Sequence, residues 1–198
     1  MTFIVGIDPG TNGAAAIYET EAHELVAVRD LPYWFQTVNK KQRKRLDPVG
    51  IYDMFEEFKL YGVGLVVLEA VGGRPKQGAS AGFVFGYTVG LIYMACICAQ
   101  IPIETVPPQK WKKLMSVTGG KKAEDDDIIN RAHEMFPTKR ALFRDTSKTE
   151  TGRKRVDRAE AAMLAKFGGD YVWRTLSTAA PNDVELKLAY RNAALEAA

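Results

Sequence analysis

The sequence predicts an α/β domain in which a mixed five-stranded sheet is flanked by helices. Three observations predict it. The first 30 residues alternate short apolar runs with turn residues, as a meander of strands does. From residue 47 onward, segments of helical spacing alternate with one near-continuous apolar run at residues 64–70, the pattern of a strand covered on both faces. The composition is ordinary and globular, 46% hydrophobic and 26% charged over 198 residues. That composition excludes wholesale disorder, a collagen-like chain and a disulfide scaffold, and a chain of this length can bury most of the apolar surface its unfolded form exposes. The two cysteines, Cys96 and Cys98, stand two apart, a spacing that rarely has disulfide geometry. With no signal peptide in view, a reduced, cytoplasmic compartment is expected.

The elements follow in order. Residues 3–7 are an apolar run that breaks at Asp8-Pro9-Gly10, a buried strand ending in a turn. Residues 13–18 and 24–30 are two further strands. Residues 33–45, polar, basic and aromatic, are expected as a loop. Asp47 caps a helix running to Leu60, with Pro48 in its first position. The strand at 64–70 carries Glu69 near its end. Residues 72–78 are a glycine-rich basic loop. Residues 77–103 hold no charge, a stretch long enough to span a bilayer. Its Gln, Ser, Thr and Tyr content, and the lack of a second span, favour a buried helix of about five turns. A strand near Ile101-Pro102 would follow it. Gly82, Gly86 and Gly90 would line one face of that helix and admit another backbone, from the sheet or from a dimer partner.

Pro107-Pro108 opens a short helix to Met115, broken by Gly119-Gly120. Residues 121–136 form another, with four acids at 124–127 suited to its N-terminal dipole rather than to a metal. Residues 138–155 are expected as a polar loop, and Asp157 to Phe167 as a helix stopped by Gly168-Gly169. A last helix is expected at 183–197. Three strands, then helix, strand, helix, strand and helices make up the ribonuclease H-like arrangement. The expected division is one such domain at 1–169 and a helical extension at 170–198.

Net charge is only +3, but it is unevenly spread. Five of the six residues at 40–45 are basic, residues 105–122 hold five lysines and no acid, and residues 139–155 hold seven basic residues. Three such clusters on one small domain suggest a polyanionic partner. Tyr33 and Trp34 beside the first cluster suit either base stacking or partial burial. His23 and His133 lack a nucleophile or ligand partner at useful spacing and are expected at the surface.

Four acids carry the chemistry. Asp8 ends the first strand, Glu69 the fourth, and Asp157 and Glu160 share a helix face at i, i+3. If the first and fourth strands are neighbours, Asp8 and Glu69 lie side by side and the helical pair closes the site. Four converging carboxylates repel one another unless cations intervene. Hard oxygen ligands select Mg²⁺ or Mn²⁺, and two such ions can clamp a phosphodiester. A sugar-kinase-like or actin-like ATPase would share the strand–Asp–x–Gly–Thr opening. It needs a second domain for which the chain has no room, so no nucleotide cofactor is expected.

At these residues the chain resembles the RuvC-type Holliday junction resolvases, in the version carried by bacteriophages and related bacterial proteins. The resemblance lies in Gly6-Ile7-Asp8-Pro9-Gly10-Thr11-Asn12-Gly13, in Val66-Val67-Leu68-Glu69-Ala70-Val71, and in Pro75-Lys76-Gln77-Gly78 with the following Phe83-Val84-Phe85-Gly86. It continues through the lysine-bearing segment at 102–122 to Asp157-Arg158-Ala159-Glu160-Ala161-Ala162, and spans roughly residues 3–168. It implies a homodimer that nicks four-way DNA junctions symmetrically in a bacterial or phage-infected cell. The products would carry 5′-phosphate and 3′-hydroxyl ends, and two Mg²⁺ ions, replaceable by Mn²⁺, would serve each site. The implied metal ligands are Asp8, Glu69, Asp157 and Glu160. Lys112 and Lys122 join them as catalytic residues, Lys121 being the neighbour that matches equally well. The basic residues expected on DNA are Arg74, Lys76, Lys110, Lys113, Lys121, Arg153, Lys154 and Arg155. The alternatives in view are a broader nuclease of forks, flaps or RNA–DNA hybrids, and a non-catalytic DNA-binding module. Many family members carry an aromatic wedge just after the second acid. Gly72-Gly73-Arg74 stands there instead, which leaves base stacking at the crossover without support in that segment.

Overall fold

The computed structural model describes residues 1–10, 12–38, 40–70, 78–117, 125–145 and 153–179. Its centre is a five-stranded sheet built from β1 (Phe3–Asp8), β2 (Ala14–Glu19), β3 (Glu24–Asp30), β6 (Val63–Glu69) and β7 (Ile103–Val106), in the order β3-β2-β1-β6-β7. The meander β1–β2–β3 is antiparallel, while β6 runs parallel to both β1 and β7. The mixed sheet flanked by helices is thus as the sequence predicts.

Alternation along the strands sorts the two faces. Val5, Ile7, Val66 and Leu68 face α1 (Pro48–Leu60) and the buried side of α2 (Ala79–Ala99). Ile4, Leu65 and Val67 face α5 (Val156–Phe167), with α3 (Pro108–Leu114) and α4 (Asp125–Met135) beside it. Asp8 and Glu69 continue the second set by parity. The same alternation that builds the core therefore delivers both acids to the α5 side. Asp47 caps α1 as expected, accepting a hydrogen bond from Val49 N at 3.1 Å.

Four expectations are corrected. Residues 33–45 are a hairpin, not a loop: β4 (Tyr33–Val38) pairs with β5 (Lys41–Leu46) and stands apart from the main sheet. Most of its side chains are exposed or half-buried, so it lacks the apolar alternation that marks a strand. The uncharged helix α2 is not a core helix. Only 22% of residues 81–99 is buried, although the stretch is long and apolar enough to cross a membrane. Among the described residues nothing lies within 4 Å of a Cβ placed on Gly82, Gly86 or Gly90, so the described sheet does not pack on them. The segment at 138–155 holds a 3₁₀ turn (Pro137–Phe143) and a short pairing of β8 (Arg144–Asp145) with β9 (Arg153–Lys154).

Gly168-Gly169 does not stop α5. The chain continues through a π-helical turn (Gly168–Trp173) into α6 (Arg174–Ala179). These glycines serve close approach: a Cβ on Gly168 would lie 2.6 Å from Val67 and 2.7 Å from Ile4. His23 is exposed, whereas His133 is half-buried against the Phe143 ring. Cys96 is buried and Cys98 exposed. The helix expected at 183–197, the Gly119-Gly120 break and the glycine-rich loop up to Gln77 lie outside the described residues.

Candidate active site

Because Ile7 pairs with Leu68, the two parallel strands end together, with Asp8 and Glu69 as neighbours at their C-terminal ends. The α5 helix crosses close above β1. A Cβ on Gly6 would lie 2.2 Å from Ala165 N and 2.3 Å from the Ala161 carbonyl oxygen. Only a glycine lets the helix sit this low, and that seating brings Asp157 and Glu160, in its first turns, to Asp8.

The meeting shows in the electrostatics. Burial pushes Asp8 well above its ordinary 3.8, and the carboxylates of Glu160, Glu69 and Asp157 push it further, while Lys112 acts against them. Lys112 Nζ lies 2.7 Å from Glu160 Oε1, both side chains nearly buried at 12% and 15% exposure. Beside it on α3, the fully buried Trp111 donates its indole N–H to Glu69 Oε1 at 3.0 Å. On the far flank, Arg155 donates to Asp157 Oδ2 at 2.5 Å and also grips both carboxylate oxygens of Asp30 at 2.8 and 2.9 Å. Arg158 takes the same two oxygens at 2.6 and 2.9 Å. Burial alone would raise Asp30, but the hydrogen bonds from Arg158 and Arg155 outweigh it and hold Asp30 below its usual range.

The structure therefore brings together Asp8, Glu69, Asp157, Glu160 and Lys112. Sequence reasoning missed Trp111 and Asp30. A signal existed for each: Asp30 stands at a strand end, as Asp8 and Glu69 do, and Trp111 lies between Lys110 and Lys112 in a short helix after a strand. Among the expected DNA contacts, Lys110, Lys113 and Arg153 are exposed, and Lys154 is exposed and paired with Asp126. Arg155, with its side chain 12% exposed, is occupied by Asp30 and Asp157 rather than open to solvent. Arg74, Lys76, Lys121 and Lys122 lie outside the described residues.

Among the described residues, no three acidic, histidine or cysteine side chains are placed together so as to hold a metal ion. Glu160 is turned to Lys112 and Asp157 to Arg155. The donor set fits a hard divalent cation all the same. Four carboxylates supply only oxygen, they disfavour one another's charge at Asp8, and the ammonium of Lys112 stands in for a cation on Glu160.

No family model and no curated protein sequence matches the chain. Solved structures do match in fold. Thermus thermophilus RuvC aligns at 14% identity with a TM-score of 0.55, over 88% of this chain and 97% of that one. The same protein in complex with a Holliday junction substrate aligns at 13% identity and a TM-score of 0.60, over the same shares. A Fowlpox virus resolvase with substrate Holliday junction DNA aligns at 16% identity and a TM-score of 0.45, over 82% of this chain and 94% of that one. The fold is ribonuclease H-like, the fold of RuvC.

Proposed function

We propose that this chain is a metal-dependent endonuclease that resolves four-way DNA junctions. One observation carries the reading: Asp8 and Glu69 at adjacent strand ends meet Asp157 and Glu160 of the crossing helix, with one lysine among them. The fold likeness to RuvC, one of whose structures holds a Holliday junction substrate, supports the choice of substrate. Two Mg²⁺ ions, or Mn²⁺ in their place, held by these four carboxylates would activate the attacking water and stabilise the leaving oxygen.

The chain's own groups do the rest. Trp111 fixes one Glu69 oxygen, and Asp30, acting through Arg155, fixes Asp157. Lys112, paired with Glu160 in the absence of DNA, would exchange that carboxylate for the scissile phosphate and neutralise charge there. Lys110, Lys113 and Arg153 grip the backbone and set the register of the DNA without reading its sequence. A stripe of α2 left uncovered by the described residues supports a homodimer: Gly90, Met94 and Ile97 follow a four–three spacing, and Met94 and Ile97 are exposed. A two-fold dimer presents two such sites to a junction of near two-fold symmetry. It would act in the cytoplasm of a bacterial or phage-infected cell.

The test is to map nicks on each labelled strand of a synthetic junction and treat the products with DNA ligase. Two nicks at symmetric positions, sealed by ligase, are expected. Nicks in a single strand, or ends that ligase cannot join, would reject the paired mechanism. In sedimentation, the protein is expected as a dimer and Met94→Glu as a monomer. Unchanged sedimentation of that variant would move the interface elsewhere.

A further inference from the structure

The β4–β5 hairpin has no role in the site just described, yet it adjoins it. Residues 31–46 contain no acid, and β5 carries Lys41, Arg43, Lys44 and Arg45. The hairpin register places Phe35 opposite Lys44 and Trp34 opposite Arg45, so basic and aromatic side chains share both faces. One face turns to the acid cluster. There Lys44 Nζ sits 3.8 Å from the Tyr33 ring centroid and donates to Asn12 Oδ1 at 3.0 Å, in the turn that follows Asp8. Burial lowers Lys44 below the ordinary lysine value, as does Arg155, while Asp30 and Asp157 act in the opposite sense, which places it within their field.

The other face turns to α2. Trp34, Gln36 and Arg45 meet Phe83, Val84 and Tyr87 across a cleft of about 200 Å³. Arg45 Nε donates to Gln36 Oε1 at 3.2 Å at its edge. Trp34 is 47% exposed, on a strand that among the described residues pairs only with its hairpin mate. Apolar ring walls, two hydrogen-bonding side chains at the rim and a cationic strand beside them are the chemistry that receives a base together with its phosphate backbone.

We infer that this hairpin is a nucleic-acid-binding arm: Trp34 stacks one unpaired nucleobase at the branch point, and the basic strand leads its backbone to the acid cluster. The inference rests on the junction-nuclease reading and deepens it. It gives an aromatic stacking platform to a chain with Gly72-Gly73-Arg74 after its second acid. Charge decides the occupant. A cleft bordered by Arg45 on a strand with three further cations would repel an equally basic hairpin from a second copy, and it attracts a polyanion.

The experiment titrates the protein, in EDTA, into a four-way junction with 2-aminopurine at the branch point and into a linear duplex of matched sequence. Trp34→Ala is expected to weaken junction binding about tenfold and leave duplex binding within about twofold, because a stacked base must first be unpaired. The change in 2-aminopurine emission on binding should vanish with it, and Trp34→Phe should restore most of both. Unchanged junction affinity and emission in Trp34→Ala would overturn the inference. So would an equal loss on junction and duplex, or the loss of self-association in sedimentation, which would assign the cleft to a partner copy. A wild-type protein that binds junction and duplex alike would overturn the parent reading before any variant is made.

Discussion

Asp8→Asn is expected to lower junction cleavage by at least about 10³-fold, the scale of losing a group that acts in the transition state. Junction affinity should stay within about threefold. The same substitution should make the metal-free protein more stable at pH 8. An aspartate whose folded-state pKa is raised contributes its stability fully below its unfolded value of 3.8, and loses that contribution as pH rises through the folded value. Burial comes first in raising Asp8, and Glu160, Glu69 and Asp157 add to it. Above that window the native state must hold an ionised carboxylate that its surroundings disfavour, a burden the amide lacks. Thermal melting in EDTA should show the variant ahead by at least about 3 °C at pH 8, the response of a chain this long to roughly 1 kcal/mol. The gap should close toward pH 4. Saturating Mg²⁺ should raise the melting temperature of the wild type and not of the variant, reversing the order. A variant that melts below the wild type in EDTA at pH 8 would show that Asp8 is not under like-charge strain.

Gly6→Val is expected to cost more stability than any surface change and to remove activity without touching a carboxylate. The new Cβ would meet backbone atoms of Ala165 and Ala161 at 2.2 and 2.3 Å, and backbone cannot rotate away. The helix would have to rise off β1, carrying Asp157 and Glu160 from Asp8. A loss of about 3 kcal/mol or more follows from overpacking against a fixed element, a fall in melting temperature of roughly 6–12 °C. Gly86→Ala is the control. None of the described residues lies within 4 Å of a Cβ placed there, and alanine favours the helix by up to about 1 kcal/mol. Equal stability of Gly6→Val and wild type would refute the close crossing on which the site depends.

These two positions show what the sequence makes legible. Asp8 and Glu69 stand at the ends of apolar runs, and Asp157 and Glu160 at helical spacing, so the acids and the order of the main elements could be read directly. What could not be read has physical causes. The hairpin at 33–46 keeps few side chains in the core, so burial leaves no alternation in its residues. The uncharged run of α2 has the same composition whether it faces a core, a lipid or a second copy, and the described fold covers only a narrow side of it. Gly168-Gly169 has the composition of a helix stop but functions as a seat against Val67, Ile4 and Tyr18. Arg155 reads as one more cation in a basic cluster, and only the fold reveals that Asp30, 125 residues earlier, holds it at Asp157.

The most direct measurement of the central claim compares cleavage of a four-way junction and of a linear duplex of the same sequence by the wild-type protein, each in Mg²⁺ and in EDTA. The four-carboxylate site on a junction-binding surface predicts cutting of the junction in Mg²⁺ alone, with the duplex intact under both conditions. Equal cutting of the duplex would contradict junction selectivity, and cutting that persists in EDTA, or none at all with Mg²⁺ or Mn²⁺, would contradict the metal-dependent site itself.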